Sequence, residues 1–141
     1  ISGYTRFMLS NQESIFHAQI IITQLTQSII NQIEIPLEIS KLEGDAIFLY
    51  AAKEDERAWP EICEQISLKL ALFFKAFSEK LSELTYSNTC DCKACRNIAR
   101  LKLKIVVHCG RALFYQLDNT SNTFGIKCKT RNTFNAPLGT L

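Results

Sequence analysis

The chain has 141 residues, of which 47% are hydrophobic and 21% charged, so we expect one globular domain with a substantial core. Sixteen basic and fourteen acidic side chains give a net charge of +2, which provides no argument for a nucleic-acid partner. No apolar stretch approaches the ~20 residues of a membrane-spanning helix, and no secretion signal opens the chain, so we expect a cytoplasmic protein without a membrane partner.

The first half of the chain predicts a helix followed by a β-hairpin. Apolar residues recur at helical spacing over about 11–32, with Ser10 and Glu13 in the order of a capping box. Apolar and polar residues then alternate before Gly44, and an apolar run follows it, which predicts a hairpin over 37–51.

The second half predicts a long helix and two more strands. Pro60 suits a helix start, and one apolar stripe continues from there until the helix ends near Thr85. The composition of 101–110 and of 111–117 predicts a strand in each segment. We expect the two strands to pair as a hairpin with its turn at Gly110.

The predicted order is therefore α-β-β-α-β-β. Because the chain starts at Ile1 within a turn-like sequence, we expect a fragment whose leading strand is missing. Adding that strand gives an α+β fold, the ferredoxin-like βαββαβ antiparallel sheet with helices on one face. In this topology residues 1–7 lie beside the hairpin tip. We expect one domain over 1–127 and an irregular tail over 128–141.

Two motifs resemble those of the class III adenylate/guanylate cyclases. The opening ISGYTRF is similar to the second and later residues of that family's Asp-Ile-Ser-Gly-Phe-Thr, and Lys41, Gly44 and Asp45 match its Lys-x-x-Gly-Asp. The CxCxxC loop and the VVHxG segment resemble a bacterial group of cyclase-like proteins. The resemblance covers about residues 1–117.

The resemblance implies a nucleotidyl cyclase that converts ATP or GTP into a 3′,5′-cyclic nucleotide and pyrophosphate. Two Mg²⁺ or Mn²⁺ ions would act at the interface of a homodimer. Asp45 would be one metal-binding carboxylate, the second would precede Ile1, and the Ile1 carbonyl would also contact metal. Lys41 would contact the adenine ring bound by the other subunit. The nucleotide-binding residues implied in this way are Ser2, Gly3, Tyr4, Thr5, Phe7 and Gly44.

The late Asn-x-x-x-Arg pair of the cyclases has no counterpart in these 141 residues. An alternative is therefore a cyclase-homology domain without turnover, which binds nucleotide or dimerises as a regulatory module. A third interpretation is a ferredoxin-like domain with unrelated ligands, because this architecture serves many functions.

Three closely spaced cysteines suggest a second site. Cys90, Cys92 and Cys95 lie within six residues, a spacing at which three thiolates can bind one zinc ion. We expect Cys128 to be the fourth ligand, and ordinary reduced thiols are the alternative. His17 is interpreted as a partly buried side chain without a ligand role.

Overall fold

The computed structural model describes residues 1–53, 55–87 and 89–110, together with the backbone of 112–116 and 124–128. The chain divides into two compact units, Ile1–Ile105 and Val106–Leu141. Within the described parts, no helix is both long enough and apolar enough to cross a membrane.

The described residues of the first unit form four α-helices and one hairpin. The helices are α1 Tyr4–Ser10, α2 Ile15–Ile30, α3 Trp59–Tyr86 and α4 Lys93–Arg96. Short 3-10 turns lie at Gln12–Ser14, Glu56–Ala58 and Ile98–Arg100. The hairpin consists of β1 Glu38–Glu43 and β2 Ala46–Tyr50.

The prediction of a first helix over about 11–32 is wrong at its start, because α2 begins at Ile15, a 3-10 turn occupies Gln12–Ser14, and the separate helix α1 precedes them. The Asn11 side chain donates a hydrogen bond to the Phe7 carbonyl at 2.6 Å, and the Asn11 backbone leaves the helical conformation with a φ of −122°. This ends α1 before α2 begins. The capping box does not form, since the Ser10 hydroxyl donates to the Phe7 carbonyl and α2 has no side-chain cap.

The core lies between α2 and α3, with the 94–101 segment against both. The predicted stripe of α3 is confirmed, since Ile62, Phe73 and Phe77 are buried and the other stripe residues pack partly buried around them. Phe74 is 49% exposed. It follows Phe73 directly, and a helix turns about 100° per residue, so its side chain points away from the core.

The predicted hairpin over 37–51 is confirmed. β1 pairs antiparallel with β2, from Glu38 opposite Tyr50 to Glu43 opposite Ala46, with an irregularity between Ile39 and Lys41. Gly44 and Asp45 form the two-residue turn, and Gly44 has a φ of +59°. Turns of this length favour positive φ because it matches the twist of the strands.

The fold is α+β, and the described residues do not show a complete ferredoxin-like sheet. The predicted strand over 101–110 contributes one isolated antiparallel bridge, between Lys102 and Ser2. In the second unit, β3 Ala112–Gln116 pairs with β4 Phe124–Cys128. We expected 111–117 to pair with 101–110. This expectation is wrong, because β3, which lies within 111–117, pairs with β4 instead. The predicted tail over 128–141 lies, after Cys128, outside the described residues.

Candidate functional site

One histidine and three cysteines converge in the first unit. His17 Nδ1 lies 3.3 Å from Cys90 Sγ, 3.3 Å from Cys92 Sγ and 3.8 Å from Cys95 Sγ. These four atoms all lie within 4.8 Å of one another. We call these residues the Cys₃His cluster. Its donor atoms could hold a metal ion such as zinc.

Two parts of the chain hold the cluster in place. His17 comes from the first turn of α2, and the cysteines come from the segment that contains α4. Cys92 caps α4, because its sulfur accepts a hydrogen bond from the Cys95 backbone N–H at 3.5 Å. The fully buried Ala94 donates its N–H to the Ser14 hydroxyl at 3.2 Å. These contacts hold the cysteine segment against the start of α2.

The hydrogen bonds to the Cys92 sulfur favour its thiolate form. The Cys95 N–H, and then the neighbouring His17, Cys95 and Cys90 side chains, lower the pKa of the Cys92 thiol to about 6, although burial opposes this shift. A thiolate is the form of cysteine that binds metal. The hydrogen bonds around Cys92 therefore favour the form of this residue that binds metal.

A second group of residues surrounds the hairpin turn. The backbone nitrogen of Ile1 lies 3.4 Å from the Asp45 carbonyl oxygen and also contacts the Asp45 carboxylate. This carboxylate is 18% exposed and forms an ion pair with the Ile1 nitrogen, so a metal ion bound there would have to replace that contact. The expected proximity of residue 1 to the hairpin tip is thus observed. We call Ile1–Gly3 together with Gly44 and Asp45 the hairpin-tip site.

The opening turn differs in detail from the expected nucleotide loop. Gly3 has a φ of +90° and forms the N-cap of α1, so that Tyr4 and Thr5 belong to its first turn. Ser2 exchanges backbone hydrogen bonds with Lys102, and the Ile1 carbonyl accepts the Tyr4 N–H at 3.3 Å. Phe7 is buried, and its N–H donates to the Gly3 carbonyl at 2.8 Å, so neither its side chain nor its N–H faces solvent.

Lys41 lies on β1 with its side chain largely exposed. Its ammonium group is 2.8 Å from a Glu43 carboxylate oxygen and 4.5 Å from the centre of the Phe48 ring. The hydrogen bond from Lys41 lowers the pKa of the Glu43 carboxyl. A ligand of Lys41 would have to compete with Glu43.

A family model described as "Protein of unknown function (DUF2652)" matches residues 22–129. The chain belongs to this DUF2652 family. The match includes the hairpin and the three clustered cysteines, and it begins after His17. No curated protein and no solved structure matches the chain.

In this DUF2652 chain, sequence reasoning identified three of the four residues in the Cys₃His cluster. It chose Cys128 as the fourth ligand, and that side chain lies outside the described residues. It missed His17, which is exposed rather than partly buried. A usable signal was the helix order: if α2 and α3 run antiparallel, the residues after α3 return to the start of α2, where His17 lies.

Proposed function

We propose that the chain is a cytoplasmic class III nucleotidyl cyclase-like domain that binds ATP or GTP with Mg²⁺ or Mn²⁺ and works as a homodimer. The observation that carries the proposal is the contact between Ile1 and Asp45. The cyclase resemblance requires these two points of the chain to be neighbours, although 44 residues separate them.

The backbone contacts of the first unit also support a ferredoxin-like arrangement. In that arrangement the leading strand lies between the strand that follows the hairpin turn and the last strand, and it is antiparallel to the last. Here Ile1 contacts the start of β2 through Asp45, and Ser2 forms an antiparallel bridge with Lys102. Both contacts are those expected of residues at the end of a leading strand.

The carboxylate of the hairpin-tip site supports the proposal that a complex of metal ion and nucleotide binds there. Mg²⁺ and Mn²⁺ prefer oxygen ligands, and Asp45 offers a carboxylate. In the proposed reaction the ribose 3′-hydroxyl loses its proton and bonds to the α-phosphorus, and the bond from that phosphorus to pyrophosphate breaks. Bound metal would stabilise the attacking and the departing oxygens.

A regulatory domain without turnover is the second candidate. It is favoured by the lack of an Asn-x-x-x-Arg pair in these 141 residues, because the cyclases use that pair to orient the ribose and stabilise the transition state. Such a domain would bind the nucleotide at the same place and release it unchanged.

Nucleotide binding and turnover can be measured separately on the purified full-length protein, because the cyclase resemblance places the second metal-binding carboxylate before Ile1 and implies that these 141 residues alone are inactive. A fluorescent ATP or GTP analogue is titrated with and without Mn²⁺, and product is measured by chromatography. We expect Mn²⁺-dependent binding that Asp45→Asn weakens at least about tenfold, since one of few charged metal ligands is lost. Glu64→Gln is the matched control, because it removes an exposed carboxylate on α3, outside the hairpin.

The outcomes distinguish the candidates. Cyclic nucleotide formed by wild type and lost in Asp45→Asn supports the enzyme, whereas binding without product supports the regulatory domain. Binding that is equal in wild type and Asp45→Asn contradicts both and favours a ferredoxin-like domain with other ligands.

A further inference from the structure

We propose that Cys90, Cys92, Cys95 and His17 Nδ1 bind one zinc ion in a closed tetrahedral site that cross-links the first unit. This site is separate from the hairpin-tip site. It replaces the cysteine-only site expected from sequence with a Cys₃His site.

The spacing of the donor atoms fits a single tetrahedral ion. With Zn–S bonds of about 2.3 Å and Zn–N bonds of about 2.0–2.1 Å, a tetrahedral zinc places nitrogen and sulfur donors about 3.5 Å apart. The three distances from His17 Nδ1 to the sulfurs are 3.3, 3.3 and 3.8 Å. One ion can therefore reach all four atoms with little rearrangement.

The number and type of donors favour zinc over a disulfide. Three thiols can form at most one bond among themselves, and a disulfide would leave His17 and one cysteine without a role. Three thiolates and an imidazole instead complete the four-coordinate set of a structural zinc site. Thiolate ligands also disfavour Mg²⁺, so the cluster would not compete with the hairpin-tip site for that ion.

The position of the ligands indicates what the ion does. His17 is separated from Cys90, Cys92 and Cys95 by 73, 75 and 78 residues, respectively. A bond across such a distance restricts the unfolded chain, and metal binding then contributes directly to folding. Within the first unit, zinc would fix the start of α2 to the segment that follows α3.

The experiment measures zinc content and ligand type in the full chain. Wild type purified under reducing conditions should contain one equivalent of zinc. Cys92→Ser and His17→Ala should each bind zinc more than about 100-fold more weakly against a competing chelator, because even the loss of an outer-shell partner costs 10–100-fold. Cys63→Ser is the matched control, since Cys63 is an exposed thiol on α3, outside the cluster.

Cobalt substitution identifies the fourth ligand. Co²⁺ in wild type should give the visible spectrum of a tetrahedral S₃N site, and His17→Cys should shift it to that of an S₄ site. A wild-type S₄ spectrum that is unchanged in His17→Ala and lost in Cys128→Ser would overturn the assignment of His17. Absence of zinc together with a disulfide within the cluster would overturn the metal site altogether.

Two controls separate metal binding from misfolding and from the nucleotide proposal. Because His17 is exposed, His17→Ala and wild type should melt at the same temperature in excess chelator, and only wild type should gain stability on adding zinc. A His17→Ala protein that melts lower than wild type in chelator and gains equally from zinc would contradict the proposal. Asp45→Asn should keep one equivalent of zinc whether or not it binds nucleotide.

Discussion

The two glycines of the hairpin-tip site should respond differently to substitution, because their backbones differ. Gly3 has φ +90° and ψ −3°, which is left-handed but beyond the φ range that residues with a Cβ atom favour, whereas Gly44 has a φ of +59°, within that range. A Cβ atom on Gly3 would lie 3.7 Å from the Arg100 carbonyl oxygen, an ordinary contact, and one on Gly44 would meet nothing within 4 Å. Backbone conformation therefore determines the cost at both positions.

A residue with a Cβ atom loses roughly 1–2 kcal/mol in the left-handed conformation. We therefore expect Gly3→Ala to lower the free energy of unfolding by about 2 kcal/mol and Gly44→Ala by about 1 kcal/mol. Gly44→Asn should cost less than Gly44→Ala, since asparagine tolerates this region. A change of 1 kcal/mol shifts the melting temperature of a domain of about 100 residues by roughly 4–8 °C.

Urea unfolding followed by circular dichroism and by the fluorescence of Trp59, the single tryptophan, measures these differences with two probes. The assigned backbone conformations would be refuted if Gly3→Ala left the free energy of unfolding unchanged. They would also be refuted if Gly44→Asn lowered it as much as Gly44→Ala does.

Two further predictions concern the core and the cysteine cluster. Phe73 is 2% exposed, so Phe73→Ala should lower the free energy of unfolding by about 3–5 kcal/mol. Phe74→Ala should lower it by less than about 1 kcal/mol, because Phe74 is 49% exposed. Equal effects of the two variants in urea unfolding would contradict the orientation of α3. In zinc-free protein the pKa of Cys92 is lowered to about 6, so its alkylation rate should fall as pH drops through about 6, where the thiolate is protonated. Mass spectrometry of iodoacetamide-treated protein measures the alkylation rate of Cys92 against pH, with the exposed Cys63 as comparison. A midpoint for Cys92 above about pH 8 would contradict the hydrogen bonds that stabilise its thiolate.

Local patterns predicted the elements whose structure depends on their own sequence. The hairpin around Gly44 and the buried stripe of α3 follow from periodicity and from turn chemistry, and both are confirmed. The helix α1 and the later start of α2 did not follow, because α1 ends at a hydrogen bond from the Asn11 side chain to the Phe7 carbonyl, which residue spacing does not reveal.

Features that require a partner elsewhere in the chain were harder to predict. The segment 101–110 has the alternation of a strand, but a strand also needs a hydrogen-bonded neighbour, and within the described residues only Ser2 pairs with it. Spacing alone identified the three clustered cysteines. His17 could not be found that way, because it lies more than 70 residues earlier and joins them only in the folded chain.

The proximity of residue 1 to Asp45 was predictable, because topology constrains it: right-handed crossovers bring the end of a leading strand to the hairpin tip. What binds there does not follow from topology. The residues that would bind it are named only by the cyclase resemblance.

The most direct test of the nucleotide proposal is to locate bound Mn²⁺ by paramagnetic broadening of backbone amide signals in the zinc-loaded protein. In the presence of ATP or GTP, Mn²⁺ should broaden the amides of Gly3 and Gly44, and this effect should disappear in Asp45→Asn and persist in Glu64→Gln, which removes an exposed carboxylate on α3. Broadening elsewhere in the chain, or broadening at Gly3 and Gly44 that survives Asp45→Asn, would contradict a cation site at the hairpin tip.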